Sequence, residues 1–158
     1  MHVDMMIADF AQVHGGKLFV SGGAINLLAP LRPEAPFAVN FAVALSITIP
    51  WQATNQMHRL AVSISDTDGE LVPMGDELPP GAAAEDRGKF LAEFNMGRSP
   101  IMVPGEESVL PVAIPLLGLP LPHPGSYQVI AELDGSEEAR RTVRLLDPNS
   151  QGRWGQGF

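Results

Sequence analysis

From Phe37 to Ile49 every odd position carries a large apolar side chain: Phe37, Val39, Phe41, Val43, Leu45, Ile47 and Ile49. The even positions hold Ala38, Asn40, Ala42, Ala44, Ser46 and Thr48, all small or polar. A period of two sustained over this length predicts a β-strand with one face in a core. Its length predicts a bulge, a bend or a change of partner sheet along the way.

The same alternation returns further along. In "HRLAVSISD" Leu60, Val62 and Ile64 point one way, and Arg59, Ala61, Ser63 and Ser65 the other; "DTDG" (66–69) then turns the chain into "ELV". "KFLAEFNMG" places Phe90, Ala92, Phe94 and Met96 inward, and "SVLPVAIPL" places Leu110, Val112, Ile114 and Leu116 inward. In that last segment Pro111 and Pro115 share parity, so both missing N–H groups fall on one side of the strand. A central strand cannot lose two ladder donors, which makes 108–116 an edge strand guarded against aggregation.

"SYQVIAELDGSEEARRTVRLL" reads as a hairpin. Tyr127, Val129, Ala131 and Leu133 alternate up to the Asp134-Gly135 turn, and Val143 and Leu145 return. Near the start, "VDMMIADF" and "KLFVSGGAINLLA" supply two further strands, separated by His14-Gly15-Gly16, with apolar residues on both parities. The segment 76–88 has the composition of a mobile loop. Eight or nine short strands with no amphipathic helix predict an all-β antiparallel sandwich, immunoglobulin-like or C2-like, over residues 1–146. Residues 147–158 are expected to form a flexible, glycine-rich tail.

Composition agrees with this class. The 158 residues are 45% hydrophobic, enough for one domain with a real core. The 16 Gly and 15 Pro are scattered singly, as punctuation between strands rather than as low complexity. A net charge of −8 excludes a nucleic-acid partner, because the only basic cluster, Arg140, Arg141 and Arg144, follows Glu137-Glu138. Without cysteine there is no disulfide, no thiol chemistry and no thiolate-held zinc. "FAVNFAVALSITI" is too short and too polar to span a bilayer. The N-terminus carries acids and no Lys or Arg, unlike a secretory leader. The expectation is a cytoplasmic protein.

The search for chemistry gives no catalytic residue, no cofactor and no metal ligand set. His2, His14, His58 and His123 lie far apart, and His14 and His123 read as exposed turn residues. "DTDGE" lacks the downstream glutamate of a calcium loop, although Asp66, Asp68, Asp76 and Glu77 are candidates for a site built from end loops. "GKLFVSGGAIN" is not a phosphate loop: Lys17 begins a strand, Gly22-Gly23 marks a bulge or close backbone approach, and Ser21 has no base. The remaining carboxylates sit in turns or at solvent-facing parity; Asp4 and Asp9 lie inside an otherwise apolar strand, where they are expected to face outward or cap a turn, the alternative being a polar contact at an interface.

Two places are candidates for contact. "PWQATNQMH" follows the long strand and offers Trp51, Thr54, Asn55 and His58 in a connection at one end of the sandwich, where such folds carry binding residues. The competing reading is a turn whose Thr54 and Asn55 satisfy local backbone while Trp51 covers the core end. In the tail, Arg153, Trp154 and Phe158 lie in a segment that cannot bury them locally, and resemble a short docking peptide.

Three stretches together carry a resemblance: "ADFAQVHGGKLFVSGG" at the start, "PWQATNQMH" in the middle and "PGSYQVIAELDG" towards the end. In these the chain resembles an uncharacterised family of small bacterial β-sandwich proteins, over most of residues 4–146. The resemblance implies a fold and no activity. The scarcity of Lys against Arg fits a GC-rich bacterial source. The function expected is that of a non-enzymatic interaction module, an accessory or structural subunit with a protein partner or a second copy of itself. The alternative is a sandwich binding a sugar, lipid or calcium through its end loops.

Overall fold

The computed structural model describes residues 1–75 and 82–153, the last three without their side chains. Among these residues are nine strands: β1 (His2–His14), β2 (Lys17–Gly23), β3 (Leu27–Leu28), β4 (Phe37–Ile49), β5 (Met57–Asp66), β6 (Phe90–Asn95), β7 (Ser108–Leu121), β8 (Gly125–Leu133) and β9 (Ser136–Leu145). They form two sheets in the orders β2-β1-β4-β7 and β3-β9-β8-β5-β6. All pairings are antiparallel except β3 with β9.

This order is that of an immunoglobulin sandwich. Strands β1, β4 and β7 take the places of A, B and E, and β9, β8, β5 and β6 those of G, F, C and C′. The β1–β2 hairpin adds a strand outside A. Of the two sandwiches expected, the immunoglobulin-like one is formed.

The alternation in β4 explains why the sheets stack. Its odd residues are all buried, and Phe41, Val43, Leu45 and Ile47 meet Leu60, Val62, Tyr127 and Val129 of the opposite sheet in one core. The expected irregularity is a register shift against β7 between Val39 and Phe41. Small residues on the other face have a reason beyond solvation: Ala42 and Ala44 are buried beneath Ala11 and Leu18 of the β1–β2 hairpin. In β1 burial follows odd positions as far as Ile7 and then takes Ala8 and Ala11, so no single parity governs that strand.

Strand β7 is the edge the prolines predicted, and it runs on to Leu121. Its one ladder is with β4, where Pro111 faces Ser46 and Pro115 faces Ala42. The segment expected as a single strand from Lys17 is broken into β2 and β3 at Gly22-Gly23-Ala24, where Gly22 and Ala24 both have positive φ. The stretch 82–88, expected to be mobile loop, contains a 3₁₀ turn (Ala84–Asp86) and a buried Asp86. No described helix is long and apolar enough to cross a membrane.

Candidate functional site

The topology brings the 50–56 connection, the start of the β6–β7 connection and the β8–β9 turn to one end of the sandwich. Ala53 N–H donates to the Pro50 carbonyl at 2.8 Å, closing a 3₁₀ turn over Trp51–Ala53. The Thr54 hydroxyl donates to the Trp51 carbonyl at 2.6 Å and accepts from Arg98 Nε at 2.6 Å. A second nitrogen of Arg98 donates to the same carbonyl at 3.0 Å, and its guanidinium lies 4.1 Å from the centre of the Trp51 ring. Asn55 adopts a left-handed φ of 59° and donates its N–H to the Met96 carbonyl at 2.8 Å.

His58 is buried beside this connection, with its ring 5.5 Å from that of Phe94. Nε2 lies 2.7 Å from the Ala53 carbonyl and Nδ1 lies 2.8 Å from Asp134 Oδ2. The other Asp134 oxygen accepts the Arg59 N–H at 2.8 Å. The Ala53 carbonyl raises the His58 pKa above its ordinary value; burial works against it, and Asp134 adds to it. Burial pushes the Asp134 carboxyl up, but the Arg59 N–H and His58 outweigh that and hold it below its ordinary value. Next to this pair, the Arg59 guanidinium bonds Asp86, which also accepts the Ala83 N–H at 3.2 Å. Arg59 holds the Asp86 carboxyl low in spite of its burial. Lys89 lies 4.0 Å from Asp86 and 3.6 Å from Glu132.

The opposite end carries a smaller cluster. Asp66 Oδ1 accepts the N–H groups of Asp68 and Glu70, both at 2.9 Å, and its Oδ2 lies 3.3 Å from His123 Nε2. His123, exposed as expected of a turn histidine, is therefore also tied to a buried carboxylate.

Of the residues singled out from the sequence, Trp51, Thr54, Asn55 and His58 are brought together. Thr54 and Asn55 satisfy backbone, as the turn reading expects, and Trp51 is half-buried under Arg98. His58 corrects the expectation: it belongs to β5 rather than to the connection, and faces inward with Leu60 and Val62 because it shares their parity. The reading of the carboxylates as solvated is also corrected, since Asp66 and Asp86 are buried. Asp4 and Asp9 do face solvent. Arg153 ends a 3₁₀ segment (Pro148–Arg153) and its side chain is not described; Trp154 and Phe158 lie outside the described residues. Asp76 and Glu77 of the calcium candidate also lie outside them, and Asp66 turns one oxygen to its own turn's backbone. Among the described residues no three His, Asp or Glu side chains are grouped to hold a metal ion.

Sequence reasoning missed Arg98, Arg59, Asp86 and Asp134. None stands at a periodic spacing from its partner, so no pattern marks them. Chemically, both clusters act as brackets, each tying an end connection to the sheets. Among the described residues no buried side-chain nitrogen or oxygen lacks a hydrogen-bond partner.

Two surfaces are apolar. The β1–β2 hairpin exposes Met6, Phe10, Val13, Phe19 and Val20, with Phe10 and Phe19 each about half exposed at 49% and 47%. Between β6 and β7, where the two sheets part, Met74, Phe90, Leu91, Ile114 and Leu116 line a cleft of about 360 Å³ with Lys89 at its side.

A model of a family of unknown function, DUF6941, matches residues 4–146, and the chain belongs to that family. No curated protein and no solved structure matches it.

Proposed function

We propose that this member of a family of unknown function is a non-enzymatic interaction module, an accessory or structural subunit that meets a protein partner through its β1–β2 hairpin. The observation that carries the reading is the pair Phe10 and Phe19, on one face of a free-edged hairpin, each about half exposed in an otherwise acidic protein. Isolated exposed apolar residues need no explanation, but Phe10 and Phe19 lie together on one face of the hairpin, with Val13 and Val20 on the other, and two aromatic rings left side by side in water mark a contact surface. From Phe10 to Gly23 the chain has no acid, whereas it has 18 in all, and the exposed Asp9, beside Gly22, is the carboxylate at the margin of this surface. Among the described residues strand β2 has β1 on one side and no strand on the other, and unlike β7 it carries no proline to block an added strand. The setting proposed with it is the cytoplasm of a bacterium, which the acidic, lysine-poor composition fits.

The test is a photo-crosslinking amino acid at position 19, irradiated in cells. A discrete heavier species that disappears when Val20→Pro blocks the edge supports the reading. Free protein alone, in cells where the chain is abundant, overturns it.

The cleft between β6 and β7 favours a second reading, a small apolar ligand held between the sheets rather than at the end loops. Stabilisation by such a molecule in a thermal-shift screen, lost on Ile114→Trp, supports it.

A further inference from the structure

We propose that His58 is a proton-controlled latch: doubly protonated, it ties the 50–56 connection to the β8–β9 turn, and on losing a proton it lets the Trp51 surface go. The proposal rests on geometry at both ring nitrogens. Nε2 is 2.7 Å from the Ala53 carbonyl and Nδ1 is 2.8 Å from Asp134 Oδ2. A carbonyl oxygen only accepts, and Asp134 is held as a carboxylate because its other oxygen takes the Arg59 N–H at 2.8 Å. Both nitrogens must therefore donate, so the folded arrangement requires the imidazolium. A neutral imidazole has a single N–H and leaves one lone pair facing an oxygen.

Which bond fails follows from the partners. The proton on Nδ1 faces a full negative charge and stays; the proton on Nε2 faces a neutral carbonyl and leaves. The exposed lone pair then repels the Ala53 carbonyl, in the middle of the connection. Beyond the bonds within the connection itself, its hydrogen bonds run to the neighbouring 96–98 segment: Asn55 N–H to Met96, and Arg98 to Thr54 and Trp51. Once His58 is neutral, the pair of connections is freed from the β8–β9 turn together, and Trp51 moves with them.

The charged groups around the ring come from several elements. Asp134 of the β8–β9 turn favours the imidazolium, and the N-terminal ammonium before β1 opposes it. Arg59, next in β5, is neutralised towards Asp86. From β6 the ring packs against Phe94, from the connection it meets the Ala53 carbonyl, and the Arg98 cation beside that connection is turned to Thr54 and Trp51. The carbonyl and Asp134 outweigh burial and the ammonium, so the release falls on the alkaline side of the ordinary histidine value of 6.5.

The experiment uses the full chain carrying Trp154→Phe, which leaves Trp51 as its sole tryptophan. The His58 ring is followed by NMR and Trp51 by emission from pH 5.5 to 9. One transition, shared by both probes and centred above 6.5, is expected. Asp134→Asn should lower that midpoint by about one pH unit, a tenfold loss in proton affinity. A Trp51 signal that stays flat while His58 titrates overturns the latch. So does a His58 midpoint at or below 6.5. Both readouts come from the chain with His58 intact, so neither depends on whether a His58 variant folds.

Discussion

The Tyr127 hydroxyl donates to the backbone carbonyl of His123, four residues earlier, at 2.6 Å, while its ring is wholly buried. The His123 N–H donates back to the same oxygen at 3.3 Å. This is the tyrosine corner of immunoglobulin sandwiches, in the strand-F position where they carry it. It explains why "HPGSYQV" reads as it does: Pro124-Gly125 turns the chain, and Tyr127 clamps the turn to the first residues of β8.

Tyr127→Phe keeps the ring and removes the clamp. The His123 carbonyl is left without its donor, which costs about 1–2 kcal/mol. For a chain of this size that lowers Tm by roughly 2–8 °C. Calorimetry checks the value; no change would mean that solvent replaces the phenol. Tyr127→Ala also removes a ring from the centre of the core and should cost about 3–5 kcal/mol.

Stability should be greatest in mildly acidic solution. Asp66, Asp86 and Asp134 all lie below their ordinary carboxylate values. A lowered acid contributes stability that is present above its unfolded value and is lost as pH falls through its folded one. His58 and His123 are both raised, the first mainly by the Ala53 carbonyl and the second mainly by that of Pro124. A raised histidine contributes stability that is complete below 6.5 and is lost as pH rises through its folded value. The two sets overlap between the ordinary carboxylate and histidine values, so urea midpoints should peak there and decline on both sides. A profile still rising from pH 6 to pH 8 would contradict the histidine assignments.

The sandwich is legible in the sequence wherever one face of a strand is buried by the opposite sheet. The odd residues of β4, the prolines of β7 and the turn at Asp134-Gly135 each leave a local mark. The two strands of the β1–β2 hairpin and their Gly15-Gly16 turn are legible, but what they bury is not: apolar residues fall on both parities, and the hairpin packs Ala11 and Leu18 on the outer face of its own sheet while Phe10 and Phe19 stay exposed. The end bracket is half legible. Trp51, Thr54 and Asn55 are neighbours in sequence, and the parity of His58 with Leu60 already points inward. Their charged partners leave no signal, since Asp134 is 76 positions from His58 and Asp86 is 27 from Arg59. Ion pairs closed at such separations follow from the fold and cannot be read before it.

Gly22 tests whether backbone or side chain dictates glycine. Its φ is +63°, and a Cβ there would run into Asp9 Oδ2. Asp9 is exposed and can swing away, whereas the left-handed backbone cannot. Gly22→Ala should therefore cost about 1–2 kcal/mol from conformation alone. The cost should stay within about 0.5 kcal/mol of that value in an Asp9→Ala background, as a double-mutant cycle would report. Full rescue by Asp9→Ala would show instead that the carboxylate is the obstacle. Gly23→Ala should cost less, because its φ is not left-handed and the atom it meets, Met6 Sδ at 2.5 Å, lies far out along a flexible side chain.

The prolines of β7 should matter for solubility more than for stability. Among the described residues strand β7 pairs only with β4, so an N–H restored at Pro111 or Pro115 on the free side joins no ladder seen there. Pro111→Val with Pro115→Val leaves the monomer's own hydrogen bonds untouched, and its urea midpoint should stay close to that of the parent. What it creates is a long, flat edge with exposed Val109 and Leu117 beside it, able to take another chain's strand. Light scattering at high concentration should rise for this variant and not for Pro115→Lys, because a lysine on an edge repels an incoming strand as effectively as a proline blocks it. If both prolines in fact faced β4, the double valine would gain ladder bonds and stabilise the monomer without aggregating. Scattering and the urea midpoint, measured on the same samples, separate the two cases.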